Sequence, residues 1–149
     1  MQLTLFSDYS LRILLYLSAH RERRVALSEI SAAYGISQNH LVKIIQRLTD
    51  AGWVSGVRGR GGGVSLAREP ADINVAAVVR LTEPHLNLVE CFDPLTNTCP
   101  IEPACGLKQA LQRAQQAFFD ELEQYTLADF TPRAPALIKL WRRALKEPA

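Results

Sequence analysis

The sequence has no apolar run that approaches the roughly 18 residues needed by a membrane-spanning helix. Its first residues also lack the cationic segment, apolar core and small-residue cleavage site of a secretory signal peptide. These two absences predict a cytoplasmic protein that makes no use of a membrane.

Motifs of catalysis are missing as well. The chain contains no Walker-type phosphate loop, no paired-histidine metal motif and no nucleophile elbow. Only three histidines occur, His20, His40 and His85, and they fall in different segments. The sequence therefore predicts that the protein is not an enzyme.

Cysteine is scarce and confined to one place. The chain has three, Cys91, Cys99 and Cys105, all in the segment CFDPLTNTCPIEPAC. In a reducing compartment, an odd and clustered set of thiols favours metal binding or redox chemistry over disulfides. Thiolate is a soft ligand, which leaves an iron–sulfur cluster, zinc or reversibly oxidised thiols as alternatives. A cubane cluster would need a fourth ligand that is not cysteine.

The charge is unevenly distributed along the chain. Of its 17 Lys and Arg and 15 Asp and Glu residues, the segment 1–63 carries eight basic and four acidic ones, which leaves nine and eleven for 64–149. An excess of cations in one half is typical of a segment that binds a polyanion.

Hydrophobic periodicity predicts three helices in that basic half. The first covers about 5–19, the second is capped by Ser28 and ends at Gly35, and the third is capped by Ser37 and runs to Ala51. The last two helices, joined by a short turn, form a helix-turn-helix whose second helix fits a DNA major groove. Its polar face provides the candidate DNA contacts Gln38, Asn39, His40 and Lys43.

A glycine-rich hairpin, from Trp53 to about Ala67, is predicted directly after the helix-turn-helix. Its turn, RGRGGG, lets the backbone approach a partner closely, and Arg58 and Arg60 offer cations to phosphates or to a narrow minor groove. This hairpin is expected to act as a DNA-contacting wing.

Downstream of the wing, Asn74 is predicted to cap a helix over 75–82. An apolar stripe follows the cysteines, from Leu107 to Tyr125, and is expected to pair with a second copy of the chain. A turn beginning at Thr126 and a last amphipathic helix near 137–145 are predicted next, with that helix packing against the dimerisation helix.

The predicted fold is mostly α (α+β), a winged helix-turn-helix with a long C-terminal dimerisation helix. A chain of 149 residues with 48% hydrophobic content supports one such core. The expected parts are a winged helix-turn-helix DNA-binding domain (1–84), a cysteine cluster-binding loop (85–106), the dimerisation helix (107–130) and a C-terminal tail (131–149).

Four segments together carry a resemblance to a known family: MQLTLFSDYSLRILLYL, YGISQNHLVKIIQRLTDAGWV, RGRGGGVSLA and CPIEPACGLKQAL. In combination they resemble the Rrf2 family of bacterial transcriptional regulators, over residues 1 to about 130, and within it the nitric-oxide-sensing repressors. The resemblance implies a homodimer that binds a palindromic double-stranded DNA operator and holds a [4Fe–4S] cluster in each subunit. It also implies that Cys91, Cys99 and Cys105 hold the cluster together with Asp8 of the opposite subunit, and that nitric oxide releases the DNA by reacting with it.

Other branches of the family imply different ligands. Cluster-biogenesis regulators use a histidine just after the third cysteine, where this chain has Gly106, Leu107 and Lys108. A sister group with a [2Fe–2S] cluster uses a glutamate at the position of Asp8 and a histidine at that of Ala33. The alternatives kept open are a [2Fe–2S] cluster and a regulator that senses iron or iron–sulfur status.

Overall fold

The computed structural model describes residues 2–57, 59 and 61–146. It contains helices α1 (Leu5–Ala19), α2 (Leu27–Tyr34), α3 (Gln38–Asp50), α4 (Val75–Thr82), α5 (Gly106–Glu123) and α6 (Ala134–Lys146). Strands β1 (Val54–Val57) and β2 (Gly63–Leu66) form an antiparallel hairpin after α3. The mostly helical winged helix-turn-helix predicted from the sequence is confirmed.

Local sequence signals explain where most helices begin and end. Ser37 caps α3 by accepting from the backbone N–H of His40, and Asn74 caps α4 by accepting from Ala77. Gly35 ends α2 in the left-handed conformation, at φ 66°. These three predictions are confirmed.

The predicted cap at Ser28 is wrong. Helix α2 begins two residues earlier than that cap implies, at Leu27 rather than Glu29, and Ala26 precedes it without any side-chain cap. Val25 explains the start, because it forms a bridge with Val64 of β2 through two backbone hydrogen bonds of 2.8 Å. This bridge ends the extended segment before the helix, so the hairpin rather than a hydroxyl determines where α2 starts.

The core lies between α1, α2, α3 and the hairpin. Its fully buried side chains come from every one of these elements and include Ile13, Leu14, Tyr16, Leu17, Val25, Ile30, Leu41, Ile44, Leu48 and Val54. Helix α1 passes through the middle and also contacts α4 and α6. Burial of this apolar surface is what holds α3, the predicted DNA-reading helix, in place.

The C-terminal third differs from the sequence prediction in two ways. Helix α5 ends at Glu123, so the range 107–130 also contains the start of a separate 3-10 helix, Leu127–Arg133, with a capping box between Thr126 and Asp129. Helix α6 is longer than predicted and packs against α2, α1 and that 3-10 helix. Its predicted packing against α5 is therefore corrected.

The side chain of Trp141 explains the position of α6. Its ring lies 4.6 Å from that of Tyr16, 5.8 Å from His20 and 5.9 Å from Tyr34, measured between centroids. Aromatic rings bury large areas, so this cluster holds α6 to α1 and α2. Across the described part of the chain, every helix falls short of the length and apolarity that a membrane span requires.

Candidate nucleic-acid interface and metal centre

Helix α3 has one buried face and one open face. Leu41, Ile44, Ile45 and Leu48 are buried, whereas the four predicted contact residues on the helix, Gln38, Asn39, His40 and Lys43, are all exposed. An exposed row of amides and a cation on the second helix of a helix-turn-helix suits contact with base edges and phosphates. The predicted placement on the surface is confirmed, and the DNA contacts themselves stay a prediction.

The two ends of the open face have different surroundings. His40 and Lys43 border a small apolar pocket with Leu5, Phe6 and Tyr9 of α1, and the rings of His40 and Tyr9 lie 6.4 Å apart. On the other side, Gln46 donates from Nε2 to Asp50 Oδ1 at 2.8 Å. Because Gln46 also borders a groove with Val57 of β1, the open face of α3 lies between α1 and the hairpin.

The hairpin lies beside this face. Val54 pairs with Leu66 and Val57 with Gly63, and the bridge to Val25 ties β2 to the start of α2. Arg58 and Arg60, the predicted wing cations, lie outside the described residues. Their contact with phosphate or with the minor groove stays a prediction.

A set of contacts that sequence reasoning missed joins the end of α4 to α1 and α3. Arg47 donates to the Leu81 carbonyl oxygen from Nη2 at 3.1 Å. Thr82 Oγ1 donates to Ser7 Oγ at 2.8 Å in a buried position. No local pattern marks these pairs, because their members lie 34 and 75 residues apart.

Glu83 completes this set. Its Oε1 accepts from the Thr4 backbone N–H at 2.8 Å and from Thr4 Oγ1 at 3.0 Å. Burial opposes ionisation of Glu83, but hydrogen bonds from Ser7 and Thr4 together hold its pKa below the usual value. The residues 81–83, which we call the α4 terminus, therefore contact both the first turn of α1 and the reading helix.

Asp8, the predicted fourth metal ligand, lies one turn along α1. Both of its oxygens are bound by Arg12, with Nε to Oδ1 at 2.8 Å and Nη2 to Oδ2 at 2.6 Å. The Asp8 hydrogen bond is the largest cause of a raised Arg12 pKa. Arg12 also lies over the rings of Tyr9 and Tyr34, at 5.7 and 6.0 Å. Within one chain, Asp8 is therefore paired with a cation.

The three cysteines lie in the segment between α4 and α5. Cys91 is in a 3-10 turn, Glu90–Phe92, and Cys105 directly precedes α5 after the turn Glu102–Ala104. All three are free thiols of intermediate burial. Short turns and the start of α5 therefore position Cys91 and Cys105, whereas Cys99 lies in irregular backbone between the two turns.

Hydrogen bonds within this segment draw the cysteine regions together. Glu90 Oε1 accepts from both the backbone N–H and the hydroxyl of Thr98 at 2.6 Å, which closes the chain between Cys91 and Cys99. The Glu102 backbone N–H donates to the Cys99 carbonyl oxygen at 3.3 Å. The segment is thus held by its own polar side chains and backbone.

Lys108, near the start of α5, forms an ion pair with Glu102 of the cysteine segment. Its Nζ donates to Glu102, which is the main reason for its raised pKa, and the charges of Cys91 and Cys105 raise it further. Over residues 2–57, 59 and 61–146, His, Cys, Asp and Glu side chains nowhere gather in threes as a metal-holding group. The ion pairs of the structure therefore join Lys108 to Glu102 and Asp8 to Arg12.

Comparisons with known proteins agree on a family. Residues 3–133 match the Rrf2 family, described as an iron-dependent transcriptional regulator. The chain is 46% identical over 141 residues to the HTH-type transcriptional regulator NsrR of Bacillus subtilis, covering 94% of this chain and 97% of that protein. It is 44% identical over 144 residues to NsrR of Halalkalibacterium halodurans, covering 94% and 99%.

Solved structures show the same architecture. IscR of T. potens superimposes with a TM-score of 0.72 and 28% identity, covering 90% of this chain and 88% of that one. CymR of B. subtilis superimposes with a TM-score of 0.69 at 24% identity, covering 89% and 97%, which supports the fold alone. The resemblance predicted from four sequence segments is therefore confirmed at the level of the family.

Proposed function

Because this chain belongs to the Rrf2 family of transcriptional regulators, we propose that it is a homodimeric repressor that senses nitric oxide through a [4Fe–4S] cluster. It binds a palindromic operator through two copies of α3, and loss of the intact cluster releases the DNA. The observation that carries the DNA-binding part is the open face of α3, where Gln38, Asn39 and Lys43 lie opposite a fully buried apolar face.

The donor set of the cysteine segment fits an iron–sulfur cluster. Cys91, Cys99 and Cys105 are free and partly shielded, and thiolate is the ligand that such clusters require. Three thiols leave one iron to another ligand, and the proposed one is Asp8 of the partner subunit. This arrangement requires Asp8 to leave Arg12, since both carboxylate oxygens are occupied within a single chain.

When bound, the cluster would supply iron that reacts with nitric oxide, most readily where carboxylate, a harder and weaker ligand than thiolate, replaces a cysteine. Arg12 provides Asp8 with a competing partner once it is released. Glu83 ties the first turn of α1, near Asp8, to the α4 terminus, and Arg47 ties that terminus to α3. These contacts give the chain a continuous path of packed groups from the sensing residues to the reading helix.

Oxygen-free purification followed by native mass spectrometry and DNA-binding titration tests the proposal. Wild-type protein is expected to show a dimer with one four-iron cluster per subunit, and its affinity for an operator-containing promoter fragment should fall as nitric oxide is added. Asp8→Ala should keep the three cysteine ligands but alter both cluster stability and DNA affinity. Glu22→Ala, which removes another exposed carboxylate of the same half of the chain, serves as the control.

Two results would contradict the proposal. One is protein that contains no iron after anaerobic handling. The other is full DNA affinity after nitric oxide has destroyed the cluster. A zinc-bound protein would be colourless and would bind DNA independently of nitric oxide.

A regulator that senses iron or iron–sulfur status is the second candidate, which the family description and the likeness to IscR favour. It would lose DNA binding after iron chelation and keep it when nitric oxide is added at about one equivalent per cluster. The two candidates are separated by titrating the same anaerobic sample with a chelator and with nitric oxide.

A further inference from the structure

Val42 is an apolar residue that the fold does not use. It lies in the middle of α3 and is 56% exposed, although the other aliphatic side chains of that helix, Leu41, Ile44, Ile45 and Leu48, are at most 9% exposed. Valine also has a lower helix propensity than most residues, because branching at Cβ restricts its side chain. Neither burial nor local structure accounts for a valine at this position.

The position of Val42 on the helix is specific. It lies one turn after Gln38 and one turn before Gln46, on the side of the reading face that is nearest the hairpin. Val42 and Gln46 border the same surface groove as Val57 of β1. Val42 therefore belongs to the part of α3 that can enter a major groove, and it is flanked by two amides.

The orientation of Gln46 supports the same view of this stripe. Its Nε2 donates to Asp50, and a carboxylate offers only acceptors, so the Gln46 amide is held with Oε1 directed away from Asp50. A held amide with a free oxygen and a second N–H matches the acceptor and donor pair of an adenine edge. The stripe thus pairs an oriented amide with an apolar side chain one turn away.

We propose that Val42 is a specificity-determining residue that recognises thymine by packing against its 5-methyl group in the major groove. This inference rests on the proposed DNA-binding function and deepens it, because it assigns the chemistry of one operator position. The thymine methyl is the one apolar group that an unmodified base presents in the major groove. Contact with an exposed valine buries apolar surface on both partners, and a cytosine at that position would offer no methyl.

The experiment compares thymine with deoxyuridine, which pairs identically but lacks the methyl group. A duplex is first selected by the wild-type protein from a random pool, and each thymine pair related by the palindrome is then replaced by deoxyuridine. Wild-type affinity, measured at one fixed salt concentration, should fall by about fourfold per half-site at a single position, as expected for one buried methyl group. Val42→Ala should bind the thymine and deoxyuridine duplexes with equal affinity.

Leu140→Ala is the matched control, because it shortens an aliphatic side chain that is 63% exposed on α6, a helix that carries none of the predicted DNA contacts. This variant should retain the wild-type difference between the two duplexes. Unfolding temperatures within about a degree of wild type would show that neither change acts through stability, as expected for exposed positions.

The outcomes separate the inference from the function on which it rests. Enrichment of no duplex sequence would contradict the DNA-binding proposal itself. Enrichment of a sequence whose affinity ignores every deoxyuridine replacement would overturn the role of Val42. A Val42→Ala protein that still prefers thymine by the wild-type factor would overturn it equally.

Discussion

Arg47 of the reading helix is bound to the backbone oxygen of Leu81, with Nη2 at 3.1 Å and Nε at 3.4 Å. Leu81 lies in the last turn of α4, where carbonyl groups lack partners within the helix and favour a nearby cation. The next two residues, Thr82 and Glu83, bind Ser7 of α1 and Thr4, the N-cap residue of that helix. The cysteine segment follows directly, so one chain turn contacts α1, α3 and the start of that segment.

Arg47→Ala is expected to lower the free energy of unfolding by about 1 kcal/mol, because it removes an exposed, charge-assisted hydrogen bond. DNA affinity should also fall, since α3 loses its tie to the α4 terminus. Lys43→Ala is the matched control on the same helix. It should weaken DNA binding and reduce its dependence on salt, with the urea midpoint unchanged. Equal urea midpoints for the two variants would contradict the structural role of Arg47.

Trp141→Ala should destabilise the protein by about 3 kcal/mol, because Trp141 is only 8% exposed and packs against the rings of Tyr16, His20 and Tyr34. The neighbouring Leu140 is 63% exposed, so Leu140→Ala should change stability by at most about 0.5 kcal/mol. Thermal and urea unfolding measure both. Similar values for the two variants would mean that α6 does not dock through Trp141.

Acid should weaken the protein partly through Glu29. Hydrogen bonds from Arg23, with Nη1 at 2.9 Å, and from the Tyr16 hydroxyl at 2.7 Å lower the Glu29 pKa below its ordinary 4.5. A lowered folded-state pKa stabilises the fold above the unfolded value, and this stabilisation is lost as the pH falls through the folded value.

Glu29→Gln should therefore cost about 1 kcal/mol at pH 7 and flatten the loss of stability at acid pH, because the carboxylate whose pKa is lowered below 4.5 is removed. Urea unfolding at half-unit pH steps measures this. The exposed residue Glu22 supplies the control, since Glu22→Gln makes the same carboxylate-to-amide change at the surface and should leave the urea midpoint at pH 7 unchanged. Parallel stability curves for Glu29→Gln and wild type would mean that the Glu29 carboxylate does not contribute to the acid sensitivity of the fold.

Gly63 occupies a position that no other residue fits. Its φ is 152°, and a Cβ there would lie 2.7 Å from the Val25 carbonyl oxygen, within the bridge that ties β2 to α2. Gly63→Ala should therefore cost at least about 2 kcal/mol through strain and a displaced hairpin. Gly61 also has a positive φ, 75°, but a Cβ added there would meet open space, so Gly61→Ala should cost about 1 kcal/mol. Equal losses in urea unfolding would show that the close approach to Val25 is unimportant.

The sequence by itself determined the secondary structure of the DNA-binding part and the orientation of α3. Apolar periodicity and the caps at Ser37 and Asn74 act within one or two turns, so they can be interpreted without knowing what lies nearby. The same reasoning failed at Ser28. The start of α2 is set by the bridge between Val25 and Val64, which lie 39 positions apart in the chain. A cap preference of about 1 kcal/mol gives way to such a tertiary contact.

Only the tertiary structure decided which distant groups meet. Glu83 binds Thr4 across 79 positions, Arg47 binds Leu81, and α6 packs on α1 and α2 rather than on α5. The three cysteines are candidate ligands from the sequence itself, whereas Asp8 is a candidate only through the family resemblance, and within one subunit Asp8 is paired with Arg12. The physical reason is that helix period and capping depend on neighbours in the chain, whereas these pairs depend on how buried apolar faces place whole elements against one another.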